Sequence, residues 1–250
     1  MRRVSLSNNM VHGGNLILIN SRYPYKECCA DINLISVGPA DNSVFLKRQY
    51  AAIFTKVMDD LGAWGQITAV SGWRSRQEQE QIYHRSLQEN GAGFTAKYVA
   101  QPGHSEHQAG LAADLTINQP PIDALRPCFT YTGICQAFRS RASHYGLIER
   151  YPKGKEDITG IAHEPWHFRY VGAPHAMLME QTGDTLEEYH IRLRQYIFGQ
   201  KPLKYDFGGA MIEISYLAAE DEMVTFEIAD DTAYTVSGNN MDGFIITVWR

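Results

Sequence analysis

Cysteine is scarce. Four occur in 250 residues, two adjacent (Cys28, Cys29) and two seven apart (Cys128, Cys135). No Cys-x-x-Cys pair exists, which excludes a cysteine-built zinc module, and four thiols are too few to staple a chain of this length. They read as free cysteines, buried or half-buried. Long apolar runs are missing too. No stretch approaches the roughly 18 residues a membrane helix needs, so no span is expected. Arg2 and Arg3 are not followed by the apolar stretch of a secretory signal. With Met1 taken as the start, a cytoplasmic chain is the expectation. An excess of positive charge is also lacking. The formal net charge is −5, which argues against nucleic-acid binding through a basic face.

What is present is globular composition, 44% hydrophobic and 20% charged, enough for one or two domains with cores of their own. Charge is unevenly placed. From Gln200 to Arg250 nine acidic residues meet three basic ones, a net of −6, while the rest of the chain nets +1. That shift predicts a domain over 1–199 and an acidic appendage over 200–250.

Periodicity supports the same division. Leu46, Tyr50, Phe54, Val57, Met58 and Leu61 share a helical face over Ser43–Leu61. Ser75 and Glu78 form a capping-box pattern that opens a helix over Ser75–Asn90, with Gly91 as its stop. A third helix is expected over Thr132–Tyr145, before Gly146. A fourth starts at the Thr185–Glu188 capping pattern, turns Leu186, Tyr189, Leu193, Tyr196 and Ile197 inward and stops at Gly199. Strands fit Leu16–Asn20, Ile67–Ser71, Leu111–Thr116 and Trp166–Val171. Beyond Gly199 the helical period gives way to partial alternation over Met211–Tyr216, Met223–Ile228, Ala233–Val236 and Phe244–Trp249. The expected class is α+β with a β-rich appendage.

Two short segments can assemble a metal site. Ser105–Asp114 offers His107 and Asp114, and Glu164–His167 offers His167. A catalytic zinc takes three nitrogen or oxygen ligands and keeps a fourth position open, and His107, Asp114 and His167 form such a set. A dication with one carboxylate leaves a net positive charge, which favours hydroxide and an anionic tetrahedral intermediate. In a strand over Leu111–Leu115, Ala112 and Asp114 share one face. In a straight strand Glu164 points away from His167, and Pro165 is the expected bend that returns it to the same pocket. Of the other histidines, His104 and His163 sit nearest to ligand candidates and are the ones most easily mistaken for them.

The SxHxxGxAxD arrangement of Ser105–Asp114, followed about 50 residues later by ExxH at Glu164–His167, resembles the zinc D,D-peptidases of the VanY/VanX type. Ser71–Gln79 is similar to that family's SGYRSxxxQ segment, with Trp73 in place of the tyrosine. Leu16–Asn20 with Tyr23 and Pro24 resembles its N-terminal strand. The likeness covers about residues 14–180 and implies the fold shared by hedgehog domains and D,D-peptidases, with a small antiparallel sheet at the zinc site. It implies one zinc ion per chain, bound by His107, Asp114 and His167, with Glu164 as catalytic base and Arg74 on the substrate carbonyl or developing oxyanion. It implies that Gln79, Ser105 and Trp166 hold the D-Ala-D-Ala end of a small peptide or peptidoglycan precursor. Read without the resemblance, Gln79 is equally a solvated helix position, Ser105 a brace for the His107 loop, and Trp166 core packing.

The family includes dipeptidases, carboxypeptidases and bifunctional VanXY-like members linked to glycopeptide resistance. The absent anchor points to the last of these. Two other readings remain. One is a phage-type wall endopeptidase cleaving an L-Ala-D-Glu bond, against which the acidic appendage counts. The other is a non-catalytic zinc-containing binding module, which needs neither Glu164 nor Arg74.

Overall fold

A computed structural model describes residues 1–27, 33–39 and 43–250. Cys28 and Cys29 lie outside the described residues. Cys128 is exposed and Cys135 buried, both as free thiols. In chain order the strands are β1 (Arg2–Ser7), β2 (Leu34–Val37), β3 (Val44–Lys47), β4 (Ile67–Ser71), β5 (Ala112–Ile117), β6 (Leu147–Tyr151), β7 (Glu164–Tyr170), β8 (Leu203–Phe207), β9 (Ala210–Ala218), β10 (Met223–Ile228), β11 (Ala233–Gly238) and β12 (Gly243–Trp249). The helices are α1 (Arg48–Leu61), α2 (Arg76–Tyr98), α3 (Gly133–Ala142), α4 (Glu156–Thr159), α5 (Ala173–Thr182) and α6 (Leu186–Leu193). The class is α+β. Among the described residues no helix is long and apolar enough to cross a membrane.

The chain forms two compact units. One contains Asn20–Tyr25 and the chain from Asn33 to Thr185. Its centre is a four-stranded antiparallel sheet in the order β4-β5-β7-β6. Aromatic residues from α1, α3 and the sheet make a continuous core. Tyr50 stacks on Tyr170, and Phe138 packs between Phe54, Phe129 and Phe168. The second unit contains Met1–Ile19 and Leu186–Arg250. Its sheet runs β11-β12-β9-β8, and β1 pairs with β10 along its length, from Arg2 opposite Ile228 to Ser7 opposite Met223. Leu6, Val11, Phe226, Phe244 and Ile246 build its core.

Several expected elements differ from those observed. The helix over Ser43–Leu61 begins only at Arg48, because Val44–Lys47 pairs with Leu34–Val37 as a hairpin. Leu46 is fully buried in strand form and so satisfied the helical period by coincidence. The Leu16–Asn20 strand is absent. Its apolar run is buried, but its backbone bonds Ser237 Oγ, Asn239 O and the Asn240 side chain instead of a ladder. The helix after Thr185 ends at Leu193, where bonds from Gln195 to Arg192 and from Tyr196 to Leu193 tighten the chain into turns. Phe198 N–H then donates to Tyr216 O, and Ile197 is exposed. The helix expected to stop at Gly91 resumes beyond it. Gly91 adopts φ 80°, ψ 169° and kinks α2, which continues to Tyr98. The Ser75/Glu78 capping box is fully formed.

Phe138 is completely buried. Phe138→Ala should lower stability by ~3–5 kcal/mol through lost transfer free energy and an unfilled cavity, read from the midpoint of chemical denaturation.

Candidate active site

One cross-strand pair sets the site. Asp114 of β5 lies opposite His167 of β7, and Ser71 at the end of β4 also registers with Asp114. Antiparallel partners bring their side chains together on one face. His167 Nδ1 lies 3.0 Å from Asp114 Oδ1. His107 comes from the short 3-10 turn Glu106–Ala109 just before β5, closed by Gly110 in the left-handed region at φ 65°. The donor atoms of His107, Asp114 and His167 all lie within 4.8 Å of one another, and all three residues are buried.

Two bulges aim the neighbouring groups. In β4 an extra residue falls between Ala69 and Ser71. In β7 the pairs Glu149–Phe168 and Tyr151–Glu164 leave Pro165, Trp166 and His167 opposite Arg150 alone. Pro165 has no amide hydrogen to give a ladder, and a bulge tolerates it. The extra residues reset the alternation, so Glu164 Oε2 comes to 3.8 Å from His167 Nδ1. The bend expected at Pro165 is this bulge.

The donor set fits a dication. His107 Nδ1 donates to Gly72 O at 2.6 Å, which leaves Nε2 as the lone-pair nitrogen. That Nε2 is buried without a hydrogen-bond partner, 3.2 Å from Asp114 Oδ2. The Gly72 carbonyl reaches this position because the residue has no side chain. A Cβ there would fall 2.5 Å from Phe45 O. His167 Nε2 lies 3.4 Å from Glu106 Oε2, so Nδ1 faces the cluster.

Arg74 follows the end of β4. One Nη donates to Gln79 Oε1 at 3.0 Å and the other to Asp114 Oδ2 at 3.1 Å. Gln79 in turn donates to Ala100 O at 2.8 Å. Gln79 is therefore a buried brace for Arg74 and not a solvated helix position. Ser105 makes no side-chain capping bond to the turn it precedes. Trp166 is half-buried and faces the cavity. That cavity measures about 350 Å³ and is lined by Arg74, Gln79, Ser105, Glu164 and Trp166 together with the three donors. His104 and His163 are not part of the His–Asp–His cluster. His104 Nδ1 bonds Asn20 O at 2.7 Å, and His163 Nε2 lies 2.7 Å from the Tyr131 hydroxyl.

Burial and charge divide the ionisable groups. Burial raises Glu164 to about 8, against the pull of His167 and Arg74. Burial also works against the Asp114 carboxylate, but both histidines hold it well below the usual range. His107 falls to about 4 through burial and the nearby Arg74 charge. Burial opposes a charged His167, yet the hydrogen bonds it donates to Asp114 and Glu106 outweigh it and raise the group to about 9.

The sequence reading missed Glu106, Arg150, Arg169 and Tyr151. Glu106 is fully buried, 2.8 Å from Arg150 Nε and 2.8 Å from Arg169 Nη1. The Tyr151 ring packs 4.8 Å from the His167 ring. Arginines inside apolar strands were the available signal, since an unpaired buried arginine is rare.

Taken with the sheet that carries it, this site defines a mononuclear metallopeptidase. A family model described as VanY, D-alanyl-D-alanine carboxypeptidase, matches residues 45–173. The chain is 39% identical over 183 residues to the bifunctional D-Ala-D-Ala dipeptidase and D-Ala-D-Ala carboxypeptidase VanXYC of Enterococcus gallinarum, covering 73% of this chain and 96% of that protein. The crystal structure of the vancomycin-resistance D,D-dipeptidase VanXYg, in complex with a D-Ala-D-Ala phosphinate analogue, superposes with a TM-score of 0.93 at 42% identity, covering 100% of this chain and 99% of that one. A variant of the D,D-pentapeptidase VanY from a VanB-type cassette, in complex with Zn(II), aligns at 29% identity and TM-score 0.58 over 70% of this chain and 98% of its own. The chain belongs to the VanY family of D-alanyl-D-alanine carboxypeptidases.

Without a metal, Glu164 and His167 keep protons in the fold that they shed on unfolding at roughly 4.3 and 6.5. The folded state then binds more protons than the unfolded one, so stability falls as pH rises. The melting temperature of chelator-stripped protein should drop between pH 6.5 and 9, as the groups pass about 8 and about 9. Glu164→Gln should make the fall shallower.

Proposed function

We infer that this chain is a zinc-dependent D,D-dipeptidase and D,D-carboxypeptidase. Its substrates are the D-Ala-D-Ala dipeptide and the terminal D-alanine of peptidoglycan precursor pentapeptide, and its biological setting is glycopeptide resistance. The observation that carries the reading is Glu164, buried 3.8 Å from His167 beside a complete His–Asp–His donor set in one cavity. A structural metal site needs no such carboxyl. The bifunctional VanXYC relative, aligned over nearly all its length, supports both activities.

His107 Nε2, His167 Nδ1 and an Asp114 oxygen would hold the ion. Zinc supplies Lewis acidity there, polarising a carbonyl and making water more acidic. Glu164 accepts the proton of the attacking water and returns it to the leaving D-alanine amine. Arg74, oriented by Gln79, stabilises the negative charge that develops on the carbonyl oxygen. Ser105, whose hydroxyl makes no cap, and Trp166 on the cavity wall hold the D-Ala-D-Ala end. The catalytic unit is Asn20–Tyr25 together with the chain from Asn33 to Thr185 in this proposal. Cytoplasmic residence belongs to it as well.

D-Alanine release from the dipeptide and from the pentapeptide is the direct assay. Both reactions should stop with a chelator and resume with zinc. Cleavage of intact sacculi without dipeptide turnover would favour the L-to-D endopeptidase. Zinc binding with no hydrolysis at all would favour the binding module. Glu164→Ala should cut kcat by about 10²–10⁴-fold while zinc stays bound. Arg74→Ala should cost about 10²-fold or more, with metal affinity measured alongside because Arg74 also touches Asp114.

A further inference from the structure

A histidine can offer a metal either ring nitrogen, and the hydrogen bond at the other nitrogen decides which. His107 is settled by a backbone carbonyl, Gly72 O, which can only accept. His167 has no carbonyl in that role. Its two nitrogens face carboxylates: Asp114 Oδ1 at 3.0 Å from Nδ1 and Glu106 Oε2 at 3.4 Å from Nε2. Asp114 belongs to the donor cluster, and its oxygens would be taken up by an ion held there. At Nε2, among the described residues, Glu106 is the carboxylate placed to accept the ring proton.

Glu106 is built for that task. Its side chain is 0% exposed, and its other oxygen, Oε1, lies 2.8 Å from both Arg150 Nε and Arg169 Nη1. Both arginine side chains are also 0% exposed. A guanidinium donates and never accepts. Two of them beside one oxygen favour the anion over the neutral acid, and Oε2 faces the imidazole. A purely structural role explains this poorly, because three buried charges are seldom more stabilising than apolar packing of the same volume.

We propose that Glu106 is the positioning residue that fixes which nitrogen of His167 faces the metal, with Arg150 and Arg169 keeping it an acceptor only. The inference rests on the metallopeptidase reading and adds the control of ligand tautomer to it. An amide in place of the carboxylate can donate towards His167 Nε2. The ring proton then moves to Nδ1, where it points at the place of the ion.

The test is zinc affinity, measured by competition with a chromogenic chelator for the wild-type chain and for Glu106→Gln. Affinity should fall about 10–100-fold, the scale for loss of a carboxylate behind a metal-bound histidine. The rise in melting temperature on adding zinc should shrink with it. In ¹⁵N-labelled zinc-loaded protein, a slowly exchanging His167 Nε2–H resonance should be present in the wild type and lost in Glu106→Ala. If Glu106→Gln does not fold, Glu106→Gln with Arg150→Met removes one surplus buried cation, and the same loss of affinity is expected. The inference is overturned if folded variants bind zinc within twofold of wild type, or if they melt lower by the same amount with and without zinc. Failure of the wild-type chain itself to bind zinc would instead defeat the metallopeptidase reading.

Discussion

Asp114 and His167 face each other across β5 and β7, and the other groups of the site take their places around that pair. A slip of one residue in this register would set Asp114 opposite Phe168 and turn the donor face into the aromatic core. The core therefore protects the chemistry. Phe168, locked against Phe129 and Phe138, fixes the phase of β7 and so the position of His167. Ordinary alternation cannot put residues three apart on the same side of a strand. The bulge at Pro165–His167 does so for Glu164, and the bulge in β4 does comparable work ahead of Arg74.

The buried carboxyls are treated differently, and the difference assigns their parts. Asp114 has Arg74 and both imidazoles within 3.2 Å and stays ionised. Glu106 has two guanidiniums. Glu164 has His167 at 3.8 Å and feels the Arg74 charge, yet burial outweighs both and lifts its pKa to about 8. Environments that push neighbouring acids apart separate a permanent anion from a group that trades protons near neutrality. Here the separation follows from which strand position each acid occupies.

The site's main residues were legible because their chemistry lies in two short segments whose local structure is simple. Asp114 and His167 could be placed from strand phase and His107 from the loop before the strand, and the Ser75/Glu78 capping box gave the start of α2 within a residue. What escaped depends on distant partners. Val44–Lys47 has a helical period and became a strand because Leu34–Val37 lies beside it. Leu16–Ile19 is as apolar as a buried strand, yet its backbone is satisfied by side chains more than 200 residues away in sequence. Glu106 looked like one more acid next to a histidine. Its importance emerges only once β6 and β7 bring Arg150 and Arg169 to it.

The pairing of β1 with β10 has a consequence for how its unit folds. Arg2–Ser7 and its hydrogen-bonding strand, Met223–Ile228, lie more than 200 residues apart in sequence. That unit is therefore completed only by closing a very long loop. Cutting the chain after Gly199 would not simply remove a tail. It would leave an N-terminal strand with its edge bare and half a core missing, an aggregation hazard in its own right.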